Sequence, residues 1–392
     1  MFHPSLRKPG GILIDCERIN HLQFDADSKT CNVGPGLAGD ALQRALAAHD
    51  PPFFFPTGHA NGVGLGGYLL TGGFGWNSGF LGAACYSVIS AEFVGADGEI
   101  HRTDLEHEQK DKDDLMWALR GSGLGFPGIV TSFKLQLHEF PSIVKKRTLI
   151  YPFSADFAEI SDALCDFKAW KGCSSSAESL FQVFYNGNDP LLLATVMYFG
   201  NSEEECSNLL NRYAELAPKT FFNDSGIVST RLEDDTKVGT DFLMQGNRQY
   251  CQLQSLSEDV SPKEHLLKIQ EFLKSNTSPV PAATYVAVEH PFGFPLNRNP
   301  RGVEGIFPHS TACILGVWCV VKDEEKDYEK AKLWVGNLSS STRRAFIQTT
   351  ESNMHKFSLY DCYPEKSCAR LLKLIEKYDS NRVFVGFPNL TR

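Results

Sequence analysis

Residues Pro56 to Gly75 read PTGHANGVGLGGYLLTGGFG, and this stretch decides how the rest of the chain is understood. Between Gly58 and Gly75, eight of eighteen residues are glycine, whereas the whole chain holds 33 in 392. Glycine at that density weakens helix and strand alike, since each one costs backbone entropy and brings no side chain to packing. What it permits is close approach of bare main chain to a large flat or polyanionic group, with successive amides turned toward it. A nucleotide cofactor is the first candidate.

Within the stretch, Gly62, Gly64 and Gly67 satisfy the spacing G-x-G-x-x-G, which alone is a weak signal. In a doubly wound dinucleotide fold a helix resting on the sheet should begin there. The residues that follow read YLLTGGFGWNSGFLG, which places Gly72, Gly73, Gly75 and Gly79 inside that helix. At about 1 kcal/mol per interior glycine relative to alanine, such a helix is badly handicapped. The sequence therefore argues against a nicotinamide-binding Rossmann unit.

Working outward, 392 residues are about twice a typical domain, so two domains are expected. A hydrophobic share of 42% with 22% charged residues is enough to fill a sizeable core. The net charge of −9, with no basic block to offset it, argues against a nucleic-acid surface. The longest apolar run, Thr311 to Val321, is too short to span a bilayer and reads as a buried strand. No charged-then-apolar leader precedes Pro9, so the default expectation is a cytoplasmic chain. Eleven cysteines without a C-x-x-C pair argue against a zinc ribbon or a thioredoxin-type site, and most read as small buried hydrophobes. No metal-ligand spacing such as H-E-x-x-H occurs.

Taken in order, Gly11 to Asp15 (GILID) reads as a strand, and Gln23 to Pro35 as strand, turn, strand. Ala38 to His49 has the spacing of a short amphipathic helix. Ala84 to Ala96 alternates, and Asp97-Gly98 closes a hairpin into Glu99 to Thr103. A short helix at Asp113 to Leu119 leads into a second glycine cluster, Arg120 to Val130 (RGSGLGFPGIV), and Val130 to His138 alternates as a half-buried strand. Beyond Pro141 the texture changes. Helices are expected at Ala155 to Trp170, Ser202 to Ala217, Pro262 to Ser275 and Glu324 to Leu338, and strands at Leu180 to Tyr185, Leu191 to Phe199, Tyr285 to His290 and Ala312 to Val321. This is an α+β pattern, an antiparallel sheet covered by helices on one face. A last helix, Glu365 to Tyr378, and a strand at Val383 to Phe387 close the chain. The expected domains are residues 1–141, 142–345 and a C-terminal segment 346–392 packing back on the first.

Together, GILIDCERIN, PTGHANGVGLGGYLLTGGFGWNSGFLGAAC, VGADGEI and DLMWALRGSGLGFPGIVTSFKLQLHEFP resemble the FAD-linked oxidases with a vanillyl-alcohol-oxidase-type (PCMH-type) flavin domain. The tail RLLKLIEKYDSNRVF resembles the berberine-bridge-enzyme-like branch. The resemblance is dense over Gly10 to Pro141 and Tyr360 to Phe384, and faint between. It implies FAD as cofactor. The family's V-G-x-G-G loop, which runs along the flavin pyrophosphate and ring, falls on Gly58, Val63, Gly64, Gly66, Gly67 and Gly73. Its adenosine-side strand entry falls on Gly125, Phe126, Gly128, Ile129 and Val130. For the last two, plain core strand is an equal reading. Where a cysteinyl flavin link would sit, this chain has Ala60, and His3 stands in Phe-His-Pro without the glycine pair of a tethering loop. The family's N-terminal lobe has no counterpart in the sequence, so the expectation is a truncated member of the family, a misassigned start, or a chain that no longer holds FAD tightly.

The chemistry the resemblance implies is hydride transfer from a carbon bearing OH or NH to flavin N5, with a base taking the proton and O2 as acceptor. The family's Y-x-N base position falls on Phe346-Ile347-Gln348, which lacks the phenol. Other proton acceptors are Tyr285, Glu289 and His290 in TYVAVEHPFG, and His309 in IFPHST, where Ser310 replaces the arginine of a P-H-R motif. Alternation puts Tyr285 and Glu289 on one face of a strand. A satisfied polar group in a sheet is the plainer reading of each. Two functions stay open: an FAD-dependent oxidoreductase acting on a hydroxylated or amine-bearing small molecule in secondary metabolism, and a non-catalytic remnant that binds FAD weakly or not at all.

Overall fold

The computed structural model describes residues 11–105, 114–173, 176–186, 189–231, 248–280, 284–289, 302–307, 313–321, 325–347, 357–384 and 386–387. They fall in two compact units, one drawn from residues 1–140, 299–308 and 348–392, the other from 141–298 and 309–347.

The first unit is built on a five-stranded antiparallel sheet. Its strands are β1 (Leu22–Asp25), β2 (Thr30–Val33), β4 (Val88–Val94), β5 (Ile100–Asp104) and β6 (Ile129–Gln136), in the order β1-β2-β6-β4-β5. A short separate pair joins β3 (Phe53–Phe54) to β7 (His138–Glu139). The turn between β1 and β2 is set by Asp25, whose carboxylate accepts the Ser28 amide at 3.2 Å. The β4–β5 hairpin turns on Asp97, which takes the Glu99 amide at 3.0 Å, and on Gly98 at φ +81°. Alternation sends Cys31, Val33, Phe93, Phe133 and Leu135 into the core and Asn32, Glu92 and Lys134 to the other face. Helix α1 (Gly39–Ala47) buries Leu42 and Leu46 on the core side. An all-antiparallel sheet has no place for the crossover helix of a dinucleotide fold. The helix within the glycine stretch, α2 (Leu65–Leu70), lasts six residues before Gly72 and Gly73 turn at φ +106° and +74°. The Rossmann reading is excluded.

Two strand expectations in this unit need correction. Gly11 to Asp15 lies in no strand, and Ile12, Leu13 and Ile14 are 91%, 67% and 55% exposed. Apolar residues gave that run strand character, but it has no strand partner among the described residues. At the other end, the described part of 383–387 is irregular, because the Asp379 carboxylate accepts the Val383 and Phe384 amides at 2.7 and 3.1 Å and wraps the chain into a loop. Segment Ala84 to Ala96 opens as a 3₁₀ turn, Ala84–Ser87, and becomes strand only at Val88.

The second unit is a larger antiparallel sheet. The strands β8 (Ile143–Pro152), β9 (Ala177–Asn186), β10 (Asp189–Gly200), β11 (Asn223–Asp224), β12 (Val228–Ser229), β13 (Arg248–Leu256), β14 (Thr284–Glu289), β15 (Ile314–Val321) and β16 (Arg344–Ile347) follow the order β11-β8-β10-β9-β14-β15-β13-β16, with β12 also paired to β8. Helices Phe157–Ala169, Glu203–Leu216, Pro262–Ser275 and Glu325–Ser341 cover one face, and alternate strand residues such as Phe181, Val196, Val286 and Val317 join them in one core. The fold class is α+β, as the residue pattern indicates. The helix starts follow their caps: Asp156, Ser202 and Ser261 each accept an amide from the first turn, and Pro262 takes the first helical position. Among the described residues no helix is long and apolar enough to cross a membrane.

Candidate functional site

The glycine stretch of the first unit is anchored before it turns. Residues 35–39 and 63–66 lie side by side, with Gly39 N donating to Val63 O, Leu65 N to Leu37 O and Gly66 N to Pro35 O, each at 2.9 Å. Gly62, at φ +74°, donates its amide to Asp40 of α1 at 2.8 Å. This pairing explains two bare positions. A Cβ on Gly66 would stand 2.8 Å from Pro35 Cβ, and one on Gly64 would stand 3.4 Å from the Pro35 carbonyl. Val63, just before them, is half-buried. Gly67 differs from both: a Cβ there would meet nothing within 4 Å, and the residue is exposed.

Three other glycines of the stretch face one side chain. A Cβ on Gly58 would stand 3.2 Å from Tyr68 Cε2, one on Gly73 2.7 Å from Tyr68 Cε1, and one on Gly75 2.7 Å from the Tyr68 hydroxyl oxygen. The Tyr68 hydroxyl donates to Pro56 O at 2.7 Å. The ring thus passes between the strand-side limb, Pro56 to Gly58, and the returning limb, Gly73 to Gly75.

The two glycine clusters meet at Phe307. A Cβ on Gly72 would come within 2.6 Å of the Phe307 ring, and one on Gly121 within 2.7 Å of Phe307 Cβ. Phe74 stacks edge-on against the same ring at 5.0 Å. Phe307 is held there by its own amide, which donates to Arg120 O at 3.1 Å, and Ile306 N donates to Trp117 O at 3.1 Å. Arg120 is fully buried and donates from Nη1 to Glu304 O at 2.6 Å. Neither Tyr68 nor Phe307 figures among the sequence candidates. The signal for Tyr68 is a large ring inside a run of residues that have none. Phe307 is remote in sequence and carries no local signal.

In the second cluster the bare positions accept protein. A Cβ on Gly125 would stand 2.7 Å from Leu371 Cδ2 and 3.2 Å from Phe387 Cε2, and one on Gly128 2.5 Å from Phe93 Cδ2. Phe126 is buried, with its ring edge-on to Phe93 at 5.2 Å. Ile129 and Val130 open β6 and pair with Val94 and Phe93 of β4. The same region is clamped by the C-terminal helix Glu365–Tyr378, whose Arg370 bonds Asp114 at 2.5 Å and Glu304 at 3.0 Å and lies over the Trp117 ring at 4.2 Å. Behind Gly72, the fully buried Cys85 has its thiol pushed up to about 12 by desolvation, so it stays protonated. None of the eleven cysteines is in a disulfide, and no metal-ligand cluster occurs among the described residues.

In the second unit, the sheet face opposite the helices carries a row of rings. Tyr285 is half-buried on β14, 4.9 Å from the Phe184 ring and 5.1 Å from that of Trp318 on β15. Gln182 Nε2 donates to the Tyr285 hydroxyl oxygen at 2.7 Å. Gly316 is bare where the Trp318 indole lies across it: a Cβ would fall 2.1 Å from that ring. Glu289 ends β14. His290 and His309 lie outside the described residues.

The chain is similar to known proteins in both sequence and fold. Residues 3–104 match the FAD binding domain family. The chain is 32% identical over 247 residues to the FAD-linked oxidoreductase nodO of Hypoxylon pulicicidum, covering 62% of this chain and 52% of that protein. It is 40% identical over 149 residues to the FAD-linked oxidoreductase janO of Penicillium janthinellum, covering 38% and 31%. The matched part is thus about half of the first relative and a third of the second. Among solved structures, 6-hydroxy-D-nicotine oxidase from Arthrobacter nicotinovorans superposes with a TM-score of 0.76 at 20% identity, over 98% of this chain and 83% of that one. Berberine bridge enzyme from Eschscholzia californica does so with 0.72 at 16%, over 95% and 79%. In its first hundred residues the chain is thus similar to an FAD binding domain, over about half of nodO's length it is similar to an FAD-linked oxidoreductase, and its fold is that of the berberine-bridge-enzyme-like oxidases.

Proposed function

We propose that the chain is an FAD-dependent oxidoreductase acting on a hydroxylated or amine-bearing small molecule in secondary-metabolite biosynthesis, with O2 as electron acceptor. The observation that carries this reading is Gly67: on a turn pinned by Leu37 and Pro35, the side of its Cα where a side chain would stand faces open space, inside the region matched to an FAD binding domain. A bare, exposed glycine beside fixed amides fits a pyrophosphate or ring edge approaching the backbone. Val63, Gly64 and Gly66 would flank the group there. When bound, FAD supplies the hydride acceptor, at N5, for a carbon bearing OH or NH.

The chain's own part is to take the proton that leaves with the hydride. Tyr285 is suited to it: its oxygen already accepts the Gln182 N–H, which eases charge onto the phenol, and rings on both sides offer a flat apolar bed. Glu289, His290 and His309 are alternative acceptors. The apolar row Phe184, Tyr285, Trp318 suits a substrate with an aromatic or unsaturated ring.

A second reading, a scaffold that keeps the fold without the redox cofactor, is favoured by the packing at Gly125 and Gly128, whose bare positions are filled by Leu371, Phe387 and Phe93. Absorption spectroscopy separates the two. Protein that is yellow, or turns yellow on soaking in FAD, and releases free flavin on acid precipitation supports the oxidoreductase. Protein that stays colourless after soaking supports the scaffold.

A further inference from the structure

We propose that Tyr68 is a positioning residue of the flavin cradle, a proposal that rests on the FAD reading above. Its ring is the spacer between the two limbs of the glycine stretch. One edge, Cδ2–Cε2, faces Gly58, and the opposite edge, Cδ1–Cε1, faces Gly73, so that a methyl at Gly58 must push the ring by a few tenths of an ångström and one at Gly73 would clash with it outright. The hydroxyl closes the arrangement by donating to Pro56 O on the first limb. Tyr68 also follows Gly67 directly on α2, where Tyr68 N donates to Gly64 O at 3.3 Å and Gly67 O accepts from Thr71 N at 3.2 Å, so the seat of the ring and the exposed Gly67 Cα belong to one hydrogen-bonded turn. A side chain that aims a binding edge without touching the ligand acts on affinity and on the ligand's surroundings more than on the fold.

Gly58 gives the proposal a clean handle. Its nearest neighbours are Tyr68 ring atoms, and beyond them only Phe74 O at 4.0 Å. A methyl there therefore reports on the ring alone.

The test is a titration of FAD into the FAD-free 392-residue chain, followed by flavin fluorescence and by the shape of the visible flavin band. Tyr68→Phe, which loses only the hydroxyl bond, should bind within about threefold of wild type. Tyr68→Leu should bind at least about tenfold more weakly and shift the vibronic structure of the band, which a merely structural residue would leave alone. Gly58→Ala should weaken binding in the wild-type background and add less than about twofold in the Tyr68→Leu background, since the two changes remove one fit. Should Tyr68→Leu fail to fold by circular dichroism, Gly58→Ala alone carries the test. Unchanged FAD affinity and band shape in Tyr68→Leu, or in Gly58→Ala where that variant stands alone, overturns the positioning role while leaving the FAD reading intact. Losses that simply multiply overturn the spacer geometry. A wild-type chain that takes up no FAD overturns both.

Discussion

A glycine can be bare for two reasons, and the residues of this chain separate them. Gly75 is bare because a Cβ would fall 1.8 Å from Thr57 O, and Gly66 because Pro35 stands 2.8 Å away. Gly67 is bare with nothing beside it. Gly66→Ala should therefore lower the melting temperature by several degrees, equivalent to about 1–3 kcal/mol of overpacking, as measured by thermal unfolding. Gln43 invites the opposite change. It is 2% exposed and both atoms of its amide lack a hydrogen-bond partner. Gln43→Met removes that burden at nearly constant volume and should raise stability by about 1 kcal/mol in denaturant titration. Tyr285→Phe bears on the chemistry. It should leave bound FAD unchanged and lower kcat by about a hundredfold if the phenol takes the proton, whereas unchanged kcat would move that role to another group.

At the scale of elements, local chemistry that announces itself was readable in the sequence. Pro262–Ser275 has its capping serine, first-position proline and acidic first turn in place, and Glu365–Tyr378 shows an unbroken apolar stripe; both run over the residues their pattern indicates. Strand β8 was not legible, because Lys145, Lys146 and Arg147 interrupt its alternation. Those charges are absorbed by partners far along the chain: Lys145 by Glu203, and Arg147 by Asp224 and Asn211. Strand β13 was hidden for a similar reason. Its glutamines read as surface residues, yet Gln252 donates to Gln254, and Gln254 donates to Ser339 O and Thr342 Oγ1, all within the core. The Arg147–Asp224 pair also sets a pH dependence. Hydrogen bonds from Arg147, the larger cause, hold the Asp224 carboxyl below its ordinary range. A carboxyl lowered in the folded state stabilises the fold above its unfolded value near 4, and that contribution is lost as pH falls through the folded value. Asp224→Asn should thus cost about 1–3 kcal/mol at neutral pH and reduce the acid sensitivity of unfolding, read from melting curves between pH 3 and 7. Equal losses at every pH would contradict the assignment.

For the molecule as a whole, the α+β class, the antiparallel sheets and the FAD binding domain were legible because texture changes at Pro141 and because glycine motifs recur in order. The placement of residues 302–307 was not. That segment returns to the first unit to seat Phe307 against Gly72 and Gly121, and nothing in IFPHST signals a partner so distant. The candidate site was legible as a location and less so as a mechanism: most of its glycines admit aromatic rings, and only the fold shows which. A ligand that binds only the folded state must stabilise it, by about 2.7 kcal/mol at a hundredfold excess over Kd. FAD should accordingly raise the unfolding temperature of the chain, with the largest hydrogen-exchange protection in residues 56–75.

The most direct measurement is the FAD affinity of Gly67→Ala beside its melting temperature. With open space around the new methyl and a better helix former in α2, the variant should be as stable as wild type or slightly more so, by up to about 1 kcal/mol. Its FAD binding should nevertheless fall at least about tenfold, because the methyl would stand where the cofactor meets the main chain. An alanine variant that binds FAD as tightly as the wild-type chain would contradict the claim that this stretch of backbone is the cradle.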